Sequence, residues 1–121
     1  MINAKVIINN LLNDERITDI VENIMDFYPE EIETFPCIIF QENGQNDREF
    51  ADNLPIADDV SYQIHIYTKA LTDYPTTSEI GLVIAQVMKE NFFTCSNNRE
   101  VPDVDDNVRH RVMEFRKSYL S

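Results

Sequence analysis

The sequence predicts an α+β domain. It is expected to be a two-layer sandwich, with helices on one face of a mainly antiparallel four-stranded sheet, in the order α-α-β-β-α-β-β. Three observations predict this class. Residues 60–69, VSYQIHIYTK, alternate with period two: Val60, Tyr62, Ile64, Ile66 and Thr68 fall on one side, Ser61, Gln63, His65, Tyr67 and Lys69 on the other. Residues 80–88 place Ile80, Val83, Ile84, Val87 and Met88 at helical spacing. The remaining strand-like segments cluster around these two, in pairs that hairpins can join.

Taken in order, residues 2–12, INAKVIINNLL, read as a helix, with Met1 at its start and Ala4, Ile8, Leu11 and Leu12 on one face. Asn13 and Asp14 interrupt it and can cap a second helical segment. Residues 15–24 carry Ile17, Ile20, Val21 and Ile24 at i, i+3, i+4 and i+7, which suggests a second short helix or a continuation after a kink. Pro29 must end it. In FPCIIFQE, Pro36 stands at a strand entrance, and Cys37, Ile38, Ile39 and Phe40 are apolar on both faces, as a central strand requires. Residues 43–57 form a long polar loop, of a length that is usually functional or disordered. It is expected to be mobile in a free subunit and to order on assembly.

Beyond the alternating strand, Thr76 and Glu79 fit a capping box that opens the main helix, and Phe92 or Phe93 closes its far end. FFTCS reads as a short strand, NNREVPDVDDN as a second polar loop, and VRHRVMEFRKSYL as the last strand, with Met113, Phe115 and Tyr119 on one face. The first face of the sheet then meets the helices, and the second, carrying Gln63, His65 and Tyr67, is expected to be open.

The 121 residues fit one domain, 1–121, and a hydrophobic fraction of 43% is enough for a core. No apolar run is long enough to span a bilayer. The start, MINAKVIINN, lacks the basic and apolar regions of a secretory signal, so residence in a cytoplasm is expected. Cys37 and Cys95 are then expected to be reduced, buried small hydrophobes.

The net charge of −12 disfavours nucleic acid as a partner, because such binding relies on Lys and Arg displacing counterions. The charge is unevenly spread. Residues 109–121 hold Arg109, Arg111, Arg116 and Lys117 against Glu114 alone, a net of +3, so residues 1–108 carry −15. A basic strand on an acidic body can pair with a neighbouring copy, or it can be a strand edge kept soluble by charge.

No catalytic constellation emerges. His65 and His110 can become cross-strand neighbours, but neither has another His or Cys two to five residues away to complete a metal site. Cys37 lies in an apolar strand, where a thiolate is disfavoured, and only Arg99 is basic near Cys95. DVDDN, residues 103–107, lacks the central Gly and distal Glu of a calcium loop. With Gly44 and Gly81 isolated there is no phosphate-binding Gly loop, and no G-x-S-x-G occurs. The expectation is a non-enzyme with no cofactor and no metal; the enzymatic option is a small hydrolase with an unrecognised site.

As a pattern over nearly the whole chain, MINAKVIINNLLND, ITDIV, FPCIIFQE, the long polar loop, VSYQIHIYTK, TTSEIGLVIAQVMKENFF and HRVMEFRKSYL resemble the tail-terminator, or tail-completion, proteins of long-tailed bacteriophages and prophages. The resemblance implies a structural part that caps the tail tube and joins it to the head as a ring, commonly of six subunits. Its partners would be further copies, the tail tube protein and the head connector protein, with no membrane and no specific nucleic-acid binding. It would assemble in the host bacterial cytoplasm and end at the head–tail interface of the virion. Residues expected at the assembly interface are Arg48 and Phe50 in the long loop and Arg109, Arg111, Arg116 and Lys117 in the last strand. Head-completion connectors share the size, acidity and α+β character, and an acidic, DNA-mimicking regulatory protein is the reading from a different class.

Overall fold

The structure, a computed structural model, describes residues 4–42, 57–70, 74–103 and 107–120. Its elements are α1 (Ala4–Leu12), α2 (Glu15–Thr18), β1 (Asn23–Met25), β2 (Cys37–Glu42), β3 (Ala57–Lys69), α3 (Thr77–Glu90), β4 (Thr94–Val101) and β5 (Val108–Leu120). The α+β class is as expected, but the sheet is five-stranded and mixed, with the order β1-β2-β3-β5-β4. The extra strand is β1, which pairs in parallel with β2 through Asn23↔Cys37 and Met25↔Ile39.

That strand corrects the expected second helix. After the Asp14 cap, α2 lasts one turn, and the chain reaches an extended edge by Asn23. Ile17 and Val21 are still buried, and Ile20 and Ile24 pack against the same core, so the spacing reported burial and not a continuous helix. Arg16 clamps this turn to the end of α3. It donates to Glu90 at 2.9 and 2.8 Å and to Asp14 at 3.0 Å, and these hydrogen bonds hold both carboxyls down near 2.

The main core lies between the helices and one sheet face. Ile8, Leu12 and Ile17 meet Ile38, Phe40, Ile64, Ile66, Met113 and Phe115, and α3 adds Ile80, Ile84, Val87 and Met88. Val83 is only partly buried at the rim of this core. The Thr76–Glu79 capping box forms in both directions, at 3.0 and 2.9 Å. Gly81 lets α3 come close to β5: a Cβ there would lie 3.3 Å from Met113 Sδ and 3.4 Å from Arg111 Cδ.

At the end of α3 the chain turns through a Schellman arrangement. Phe93 N–H donates to Met88 O and Phe92 N–H to Lys89 O, both at 3.0 Å. Phe93 is buried and closes the core, whereas Phe92 stands outside it. β4 runs on through residues expected to be loop. Its exposed, polar sequence hid a strand that is paired on one side only, with a bulge between Cys95 and Asn97. β3 likewise starts at Ala57, earlier than its alternation suggests. The loop 43–56, Met1 and the Tyr119 side chain, each given a role by the sequence pattern, lie outside the described residues.

The second sheet face is not open. Cys37, Ile39 and Tyr67 form a separate buried cluster, covered by Met25, Ile32, Phe35 and Val108. The reason is the parallel β1–β2 pair. Parallel neighbours cannot be joined by a tight turn, so residues 26–36 must return along the strands and lie over this face. Cys37 is buried, as expected, and burial pushes its thiol up to about 11. Cys95 is exposed instead, because β4 is an edge; both thiols are free.

Replacing Ile84, fully buried in the centre of this core, with Ala is expected to cost about 2–5 kcal/mol, read as a lower urea midpoint at unchanged m-value.

Candidate functional site: a polar chain under the sheet and a basic closing strand

Residues 61, 63, 65 and 67 of β3 lie opposite 116, 114, 112 and 110 of β5, so their side chains share the second face. On that face the polar groups form a continuous chain. Gln41 Nε2 donates to Gln63 Oε1 at 3.3 Å, and Gln63 Nε2 donates to Glu114 Oε2 at 3.2 Å. His65 Nε2 lies 3.1 Å from Gln63 Oε1, and His65 Nδ1 lies 2.9 Å from His110 Nε2. Tyr67 stacks on His110 with centroids 4.2 Å apart, and Tyr28 meets His65 edge-on at 5.5 Å.

A carboxylate only accepts, so Glu114 fixes the direction of the whole chain. The Gln63 amide nitrogen must face Glu114, which turns its oxygen to His65. His65 then carries its proton on Nε2 and accepts at Nδ1, so His110 donates from Nε2. The pair can add a proton at His110 without breaking these bonds. A second proton would set two N–H groups against each other.

Burial, and then the nearby His110, pull His65 down from 6.5 to about 4. Burial also lowers His110, against the opposing carboxylate of Asp103. Burial raises Tyr28 and Tyr67, which hydrogen-bond to each other. Near neutral pH this face is therefore held by neutral rings. Among the described residues no group of three or more His, Cys, Asp and Glu is placed to hold a metal ion. The two histidines meet, but they serve a hydrogen-bonded network. Of the segment 103–107, residues 104–106 lie outside the described residues.

The basic residues of β5 do not form one cluster. Arg111 is on the helix side, where Nε donates to Thr77 Oγ1 at 3.2 Å and Nη1 to Asn98 Oδ1 at 2.9 Å. Its stem runs beside Gly81, so it braces α3 against the sheet. Lys117 Nζ donates to Asn91 O at 2.9 Å and lies 5.5 Å from the Phe92 ring centroid. Arg109 reaches Glu100 at 3.5 Å. Arg116 points to the second face, opposite Ser61 and Thr94, and is exposed. Arg48 and Phe50 lie outside the described residues.

Two surface residues carried no signal in the sequence pattern. Phe92 is 80% exposed with φ 67°, a left-handed backbone that bulky residues rarely adopt. Tyr28 is half exposed while it leans on His65. The absence of a Gly after α3 was the one available cue to Phe92, since that position usually takes Gly.

The unfolded chain binds protons at His65 and His110 before the folded chain does, so stability should fall as pH drops from about 6.5 towards 4. Thermal melts across this window are expected to show a shallower slope for His65→Gln than for the wild type. Equal slopes would mean that the buried ring does not set the response.

Among the described residues, no helix is long and apolar enough to cross a membrane. No curated protein matches the sequence. The family described as tail completion protein gp17 matches residues 5–119, from the first helix to the end of the closing strand. The chain thus belongs to the tail completion protein gp17 family, structural proteins of phage tail assembly.

Proposed function

We propose that this chain completes the tail by capping the tail tube and joining it to the head, as a ring of copies at the head–tail interface. Its partners in this reading are further copies, the tail tube protein and the head connector protein. Beyond family membership, the observation that carries the reading is the charge split: +3 on residues 109–121 against −15 on residues 1–108. One molecule thereby carries an acidic body together with exposed basic side chains on β5, Arg116 among them, and a head-to-tail contact between such groups of neighbouring copies closes into a ring when the rotation permits. A ring built mainly from acidic bodies also presents a lumen that DNA can traverse without adhering.

Electron microscopy of tails assembled with and without the protein tests the capping role. Its absence should give tails of unregulated length that do not join heads. Tails of normal length that join heads in its absence would refute the role. Arg116 is the cleanest probe of charge, since it is exposed on β5 and makes no ion pair with another described residue. Arg116→Glu is expected to weaken loading onto tails several-fold with little change in Tm, because exposed charges contribute little to folding. Raised salt should weaken wild-type loading in the same direction. Both are read by quantifying protein on purified tails.

A further inference from the structure

Phe92 is placed at a double disadvantage. Its left-handed backbone is strained for a residue with a bulky side chain, and its ring is 80% exposed, so core packing does not offset the strain. Gly would be the ordinary choice at this point of a Schellman turn. The ring is nevertheless held in place. Lys117 lies 5.5 Å from its centroid and is itself tied to Asn91 O, while Arg116 projects from the other side of the same strand. The result is an exposed aromatic knob with a lysine ammonium beside it, next to the β4 edge.

The opposite face has the complementary chemistry. Residues 26–33 come after β1 and expose Phe27, at 58%, with Glu30, Glu31 and Glu33. None of these three carboxylates forms an ion pair with another described residue. Residues 26–36 lie over the second face of the sheet, with Tyr28 against His65, whereas Phe92 stands at the end of α3 beside Lys117 on the helix side. Within one chain the two surfaces therefore cannot meet.

We propose that Phe92, with Lys117 beside it, docks onto the acidic segment 26–33 of a second copy of this chain, against Phe27, Glu30, Glu31 and Glu33. The inference rests on the proposed ring and deepens it by assigning the two faces of the contact. The contact is head-to-tail: each copy uses one surface to hold the next and leaves the other for the previous one. An aromatic anchor with charges around it is the usual make-up of an interface centre and its rim.

Phe92→Gly separates this role from a structural one. It should raise Tm by about 2–6 °C, because it relieves the left-handed strain, while lowering self-association at least tenfold by sedimentation. A structural Phe92 would instead lower Tm. Glu30→Lys, Glu31→Lys and Glu33→Lys combined should abolish association from the other side. Neither variant should self-associate, yet an equimolar mixture should form heterodimers and stop there, because each variant retains one intact surface. Heterodimers in the mixture support the contact. Unchanged association of either variant, or a mixture that stays monomeric, overturns it. If wild type is monomeric free in solution, the same variants are scored as copies bound per purified tail end. Tails capped by single copies overturn the contact and leave capping intact; wild-type protein that binds no tail ends but self-associates refutes capping alone, and wild-type protein that does neither overturns both.

Discussion

Thirteen residues of β3 lie opposite thirteen of β5, from Ala57↔Leu120 to Lys69↔Val108, and the rest of the molecule depends on this pairing. Register in such a ladder is all-or-none, because a slip by one residue would move every side chain to the other face. The native register puts Ile64 opposite Met113 and Tyr62 opposite Phe115 on the helix side, and His65, Tyr67 and His110 together on the other. β2 adds to one side of the pair and β4 to the other, so both edges of the sheet are positioned by it. α3 docks across the same two strands, through Ile80, Ile84 and the close approach at Gly81.

The two faces of the sheet are stabilised differently. The helix side is an apolar core in which aliphatic side chains interlock. The other side combines a small apolar cluster around Cys37 and Ile39 with the chain from Gln41 through Gln63 to the two histidines. A buried polar chain is tolerable only when its members are satisfied. Here the directions agree from Glu114 to His110, and among the described residues no buried side-chain polar atom lacks a partner. This organises the surface beneath Tyr28 and residues 26–36. The raised Cys37 thiol and the lowered His65 both describe groups kept neutral by burial.

The contact proposed between copies needs its two surfaces to stay apart within one molecule, and the sheet lies between them. The acidic return segment after β1 lies over the second face, whereas Phe92 and Lys117 stand on the helix side. Long-range attraction between such surfaces acts over roughly a Debye length, about 8 Å at physiological salt, so within one molecule it is largely screened. Between molecules it can orient an approach. The exposed β4 edge is meanwhile protected against indiscriminate strand pairing by its bulge and by Arg99 and Glu100.

Several features were determined by the sequence alone. The alternation of residues 60–69 settled which side of β3 faces the helices, because a strand has period two. The Thr76–Glu79 pair and the stripe from Ile80 to Met88 determined α3, and the apolar run from Cys37 to Phe40 determined a strand covered on both faces. Net charge and its uneven spread are also properties of the chain as such. Tertiary structure decided the rest, where local preference was weak or ambiguous. Asn23–Met25 is a strand because β2 offers it a ladder, although its neighbours have helical spacing. Thr94–Val101 is a strand because β5 pairs with it, although its residues read as loop. The second face is covered because a parallel pair forces the chain back across it, a consequence of topology that no periodicity encodes. The same holds for the basic strand: alternation sent Arg111 and Lys117 to the helix side and Arg116 to the other, but only packing showed that the first two are engaged by Thr77, Asn98 and Asn91.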